Sequence, residues 1–221
     1  MPGLERYRNR DEAGRELADA VREYAQSQPF HDPVVLALPR GGIPVALPVA
    51  RALGAPLDLL FVRKIGAPGH PEFAVAAVVE GDEDIVVTNP DIADGLRLPQ
   101  GWLEQGRLRG VEEIARQRAR YSAGRERLPV KGRSVIVVDD GVATGTSLFA
   151  AITALLREHP RDLTVAVPVA PPDTLARLAD TVDHVICLLA PRHFQAVGFF
   201  YDDFHQVEDD EVAAALAQAA E

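Results

Sequence analysis

The chain has 221 residues, 47% hydrophobic and 25% charged, an ordinary globular balance that argues against long disorder. Its 23 basic and 33 acidic side chains leave a net charge of −10, which speaks against a general nucleic-acid or anionic-membrane surface. The single cysteine, Cys187, rules out an intrachain disulfide and a cysteine-built zinc site. No apolar run nears the ~18 residues of a membrane span. Met1 to Arg6 also lacks the apolar core of a secretory signal, so a soluble, cytoplasmic protein without nucleic-acid or membrane partners is expected.

Ala13, Leu17, Ala18, Val21, Tyr24 and Ala25 recur at helical spacing, with Asn9 and Glu12 placed as a capping box. Val34 to Leu38 is an apolar run of strand length, broken by Pro39-Arg40-Gly41-Gly42, after which Ile43 to Leu53 reads as a helix capped by Gly54. Leu57 to Val62 is expected as the next strand, giving a strand–helix–strand unit with parallel pairing. Arg63 and Lys64 end that strand, and the stretch after them to Glu72 holds four Gly or Pro residues and reads as a loop without regular structure. Phe73 to Val79 and Asp84 to Thr88 flank Glu80-Gly81-Asp82-Glu83 as a hairpin. Trp102 to Tyr121 is a charge-rich helix, with Arg116, Arg118 and Arg120 expected on a solvated face beside Glu112 and Glu113.

Ser134 to Val138, Leu163 to Val169 and His184 to Leu189 are strands, separated by helices at Gly145 to Arg157 and Thr174 to Ala179. Glu208 to Ala220 closes as a helix with acids in its first turn. The alternation predicts an α/β fold: a doubly wound, mostly parallel sheet flanked by helices. A single domain over 1–221 is expected, with a flap and helical insertion at about 66–130 and a C-terminal hood at about 190–221.

Chemistry concentrates after Ser134 to Val138. Asp139 and Asp140 follow at the carboxyl end of that strand, where open α/β sheets bind ligands. Gly141, Ala143, Thr144, Gly145, Thr146 and Ser147 then form a small-residue, hydroxyl-bearing turn into a helix, an anion cradle best suited to phosphate. Gly145 lets the backbone approach the anion closely. The two carboxylates would repel such a ligand unless they bond its hydroxyls or reach it through a cation, and vicinal ribose hydroxyls with Mg²⁺ meet both needs. Arg40, Gly41 and Gly42 lie at the same sheet edge and offer a planar cation with a free backbone. Histidines 31, 70, 159, 184, 193 and 205 form no i, i+4 pair, and neither G-x-x-x-x-G-K nor G-x-G-x-x-G occurs.

The segment Val135 to Ser147, an apolar strand, two acids and a turn ending Thr-Gly-Thr-Ser, resembles the signature of type I phosphoribosyltransferases. A weaker likeness covers residues 34–190, and the Arg-Lys-Ile-Gly-Ala-Pro-Gly loop with the aromatic tail is similar to an uncharacterised bacterial subgroup. The resemblance implies a type I fold with a small hood. It implies transfer of the 5-phosphoribosyl group from phosphoribosyl pyrophosphate to a small-molecule nitrogen nucleophile, a nucleobase being the first choice, with release of pyrophosphate. Asp139 and Asp140 would then hold the ribose hydroxyls and, through water, Mg²⁺. Gly141 and Ala143 to Ser147 would hold the 5′-phosphate. Arg40, Gly41 and Gly42 would form the pyrophosphate loop, which in the family often carries a non-proline cis peptide. Arg63 and Lys64 match a cationic pair that helps hold pyrophosphate ahead of a mobile loop, while His70 and Glu72 are weak candidates for proton transfer. Arg40, Asp139 and Asp140 are thus the catalytic candidates.

The match departs at Ala143, where 6-oxopurine enzymes of the family place a carboxylate that handles the base proton. Phe194, Phe199, Phe200, Tyr201 and Phe204 could stack on a heterocycle or pack as core. Two further readings stay open. One is a non-catalytic regulator that binds the same ligand, and the other a receiver-like phosphoacceptor, whose acid pair would follow the first strand. A homodimer is allowed.

Overall fold

The computed structural model describes residues 6–81, 85–88, 98–122 and 125–219. Its backbone divides into two compact units, one of Met1–Leu59, Arg127–Gly145 and His159–Glu221, the other of Leu60–Glu126 and Thr146–Glu158.

The first unit is built on five parallel strands: β1 (Val34–Ala37), β2 (Leu57–Leu59), β6 (Ser134–Val138), β7 (Asp162–Val169) and β8 (His184–Leu189). They run in the order β2–β1–β6–β7–β8. β1 and β6 are buried along their whole length, as continuous apolar runs must be when a parallel sheet is covered on both faces. α1 (Arg10–Ser27) packs on α2 (Gly42–Leu53) and on β7 and β8, while α2 covers β1, β2 and β6. α5 (Pro172–Ala179) lies along β8, and α6 (Asp209–Gln218) packs on α2. The expected mostly parallel, helix-flanked sheet is the one observed.

Local signals decide the helix ends. Asn9 accepts the Glu12 N–H at 3.0 Å, but the Glu12 carboxylate turns to the Arg8 N–H at 2.6 Å, so only half of the expected capping box forms. Gly54 ends α2 at φ +59°, and Glu208 with Glu211 makes a complete capping box for α6. Tyr7 and Tyr201 form a parallel bridge that ties the start of the chain to its C-terminal segment. Phe194, Phe200 and Tyr201 pack with Tyr7, Ala13 and Val169, so this part of the aromatic tail is core.

The second unit carries an antiparallel sheet in the order β3–β4–β5, made of β3 (Val62–Ala67), β4 (His70–Val79) and β5 (Ile85–Thr88). Two expectations are corrected here. The strand expected over Leu57–Val62 is divided, Leu57–Leu59 pairing with β1 and Val62 opening β3 in the other sheet. The stretch from Ile65 to Glu72 belongs to a hairpin rather than an irregular loop. Pro68 and Gly69 form its tip, Gly69 at φ +75°, and Pro71 falls where bulges break the register, the place a strand tolerates proline. The second expected hairpin forms, with Val79 opposite Ile85; its tip residues Asp82, Glu83 and Asp84 lie outside the described residues.

α3 (Trp102–Tyr121) packs on β3 and β4. Arg116 reaches Glu113 at 2.5 Å on an exposed face, as expected. Arg118 does not share that face. Its guanidinium pairs with both oxygens of Glu80 at 2.7 and 2.6 Å and covers the Phe61 ring, a buried fork of the kind only arginine makes. α4 (Thr146–Arg157) packs on all three strands of this sheet. Among the described residues no helix is long and apolar enough to cross a membrane.

Candidate functional site

β1 and β6 are neighbours in parallel register, Ala37 facing Val138, so the segments leaving their carboxyl ends emerge side by side. The chain then passes from β1 to β2 on one side and from β6 to β7 on the other. Such a reversal of winding opens a crevice beyond the strand ends, the place where doubly wound sheets take ligands.

The Leu38 N–H donates to the Val138 carbonyl at 3.0 Å, extending the pairing one residue past the end of β1. The Pro39–Arg40 peptide that follows is cis, and the Gly42 N–H returns to the Leu38 carbonyl at 3.0 Å as α2 begins. A Cβ on Gly41 would collide with Asp140 Oδ2. One on Gly42 would stand 2.8 Å from the Val138 carbonyl oxygen and 3.0 Å from Asp139 Cα. Only glycine lets the Arg40 loop lie against the acid pair this closely.

Asp139 accepts the Asp140 N–H at 2.9 Å through its own Oδ1. Loss of solvent pushes the Asp139 carboxyl well above the ordinary carboxylate range, and the adjacent Asp140 charge adds to the rise. Burial raises Asp140 as well, but there the hydrogen bond and charge of Arg10 pull the other way. Arg10 Nε meets Asp140 Oδ2 at 2.7 Å, and the Tyr201 hydroxyl donates to the Asp140 carbonyl at 2.5 Å. Burial, ahead of the Asp140 charge, pushes the Tyr201 phenol upward and keeps it a protonated donor.

The turn after the acids is open. Gly141 and Val142 are buried, with the Val142 N–H bonded to the Val169 carbonyl at 2.9 Å, whereas Ala143 and Thr144 are exposed. Thr174 anchors the turn from below through the Ala143 carbonyl at 2.7 Å. Gly145 takes φ +74° and hands the chain to Thr146 and Ser147 at the start of α4. Backbone amides and hydroxyls at such a bend form a cradle for an anion.

Arg40, Gly41, Gly42, Asp139, Asp140 and the turn to Gly145 therefore come together in the first unit. Arg63 and Lys64 stand on β3 of the second, beside a cleft of about 380 Å³ that Trp102, Arg109 and Glu113 also line. Arg63 faces Glu113 at 3.6 Å, and Lys64 is exposed. His70 is exposed at the start of β4, and the side chain of Glu72 lies outside the described residues.

Three neighbours of the site escaped the sequence reading. Arg10 and Tyr201 hold Asp140, and Asp209 faces Arg40 at 3.5 Å from the first turn of α6. Arg10 did leave a trace, since a charge aligned with Ala13, Leu17 and Val21 on a buried stripe requires a partner. Among the described residues no group of three or more His, Cys, Asp or Glu forms a metal cage. Two adjacent carboxylates instead fit a hard divalent ion that draws its other oxygens from water and ligand, the habit of Mg²⁺.

A family model of the phosphoribosyl transferase domain matches residues 4–203. Two Mycobacterium tuberculosis proteins, provisionally named phosphoribosyl transferases, are each 42% identical to the chain over 212 residues. The match takes in 96% of this chain and 46% of theirs, so the chain spans about half the length of these curated relatives. A crystal structure of the Thermus thermophilus protein TT1426 superposes with a TM-score of 0.81 at 43% identity, over 96% of this chain and 98% of that one.

Proposed function

Since the chain belongs to the phosphoribosyl transferase domain family, we propose that it moves the 5-phosphoribosyl group of phosphoribosyl pyrophosphate to a nitrogen nucleophile, a nucleobase first, and releases pyrophosphate. The observation that carries the reading is the delivery of the Arg40 loop and the acid pair to one sheet edge, with the turn after the acids open to solvent.

In this reading Asp139 and Asp140 orient the ribose through its hydroxyls, and the turn from Gly141 through Ser147 anchors the 5′-phosphate. Breaking the anomeric C–O bond builds positive charge on the sugar and negative charge on the leaving group. Little covalent chemistry is then required of the protein, which fixes geometry and stabilises the departing anion. Arg40, with the backbone freed by Gly41 and Gly42, faces the pyrophosphate, and Arg63 and Lys64 belong to the same leaving-group role. Mg²⁺ held through Asp139 and Asp140 would supply charge neutralisation on the phosphates. The ion also reconciles a protein of net charge −10 with a polyanionic ligand.

The test is pyrophosphate release from phosphoribosyl pyrophosphate and Mg²⁺ across a panel of purines, pyrimidines and simple amines. Release that depends on one acceptor class is expected. Calorimetric binding of the ligand without release on any acceptor would overturn catalysis in favour of a regulatory binding protein.

A further inference from the structure

The second acid of the pair is fixed from three directions. Its N–H donates to the Asp139 carboxylate at 2.9 Å, the Tyr201 hydroxyl donates to its carbonyl at 2.5 Å, and Arg10 Nε donates to its side-chain Oδ2 at 2.7 Å. The first two contacts fix the backbone. Among the described residues outside the acid pair, Arg10 is the side chain bonded to the Asp140 carboxylate, whose torsion is a broad, roughly two-fold rotor when nothing holds it.

Arg10 is itself held in place. It opens α1 on the buried face, its Nη1 donates to the His205 carbonyl at 2.7 Å, and its guanidinium carbon lies 3.8 Å from the centroid of the Phe204 ring. Side-chain exposures of 9% for Arg10 and 13% for Asp140 leave little water to screen the pair. A guanidinium with one face on an aromatic ring and two N–H groups committed is held on three sides. Its positive charge also offsets one of two adjacent carboxylates at a site read as binding a polyanion.

We propose that Arg10 is a positioning residue: from the first turn of α1 it holds the Asp140 carboxylate in the single orientation that receives the ligand, with Phe204 and the His205 carbonyl as its brace. The identity of that ligand rests on the phosphoribosyl-transfer reading. The role of Arg10 toward Asp140 does not.

The experiment compares the parent with Arg10→Ala, Arg10→Lys and Phe204→Leu, using the acceptor on which the parent releases pyrophosphate. Arg10→Ala is expected to lower kcat about 100-fold, the scale of a misplaced catalytic group, with a smaller change in KM for phosphoribosyl pyrophosphate. Methylguanidinium at millimolar concentration should restore part of that loss, with urea at the same concentration as the control. Arg10→Lys keeps the charge but lacks the fork, and should stay below the parent. Phe204→Leu should fall between the two. Parent-like kcat and KM in Arg10→Ala would overturn the proposal, as would a loss that follows melting temperature and ignores methylguanidinium. If Arg10→Ala does not fold, Arg10→Lys and Phe204→Leu decide by the same criteria. A parent that releases no pyrophosphate would sink the transfer reading alone. The positioning role is then read from crystal structures of the parent and Arg10→Lys: an Asp140 carboxylate turned or split in the variant supports it, and an unchanged one removes it.

Discussion

At the scale of single residues, the constraint that shapes the site is the absence of side chains at Gly41 and Gly42. A methyl at Gly41 meets the Asp140 carboxylate that Arg10 holds, and one at Gly42 meets Val138 and Asp139 backbone atoms. Gly41→Ala is therefore expected to weaken binding of phosphoribosyl pyrophosphate at least tenfold and to lower the urea unfolding midpoint, because the displaced carboxylate gives up its buried Arg10 partner. Calorimetry and denaturation on one sample check both halves. Cys187 gives a prediction about pH. Burial is the main cause pushing its thiol up from 9.0 to about 11, a difference equal to about 100-fold less thiolate at neutral pH. Since the folded state favours the protonated thiol, its contribution to stability is full below the free thiol's range and is lost as pH climbs through it toward the folded value. Iodoacetamide at pH 8 should label the folded protein far more slowly than the urea-unfolded chain. Equal rates would show that Cys187 is not shielded.

At the scale of elements, the buried fork between Glu80 and Arg118 fastens α3 to the end of β4, with side-chain exposures of 11% and 14%. Removing one partner strands a buried charge, so Arg118→Met should cost about 3–5 kcal/mol in urea unfolding. Adding Glu80→Met to that variant should recover most of the loss, because a well-packed apolar pair often replaces a buried ion pair without penalty. α6 supplies another test. Its Asp209 occupies the Arg40 guanidinium at 3.5 Å, a contact that an anionic ligand would have to displace. Asp209→Asn should tighten phosphoribosyl pyrophosphate binding about two- to fivefold, the value of a partly exposed ion pair. These elements also show where sequence reading succeeds. β6, β8 and α3 begin and end where their apolar runs and charge pattern put them, because a continuous apolar run of strand length or a long helix is a strong local signal. The hairpin of β3 and β4 was hidden because glycine and proline mark irregular loops and bulged hairpin tips alike.

At the scale of the whole molecule, the site divides by sequence distance in the same way. Arg40 to Gly42 and Asp139 to Gly145 could be read as neighbours in advance, since each follows an apolar strand and a parallel sheet aligns strand ends. Arg10, Tyr201 and Asp209 could not, because they reach the site from segments 130, 61 and 169 residues away from their partners. The lack of a three-ligand cage among the described residues carries one more expectation. Treatment with EDTA should abolish pyrophosphate release, and excess Mg²⁺ should restore it, with no change in melting temperature when ligand is absent. A melting point that falls on chelation would reveal an ion built into the fold. The pairing of Tyr7 with Tyr201, beside the braced Asp140, also sets an order of events during synthesis. A ribosome-bound chain that has emerged only as far as β8 already owns both acids and the glycine loop, yet lacks the hydroxyl and ring that steady Asp140. Affinity for the sugar phosphate should thus appear only once the segment from Tyr201 to His205 has docked, and would be a useful signal of that docking.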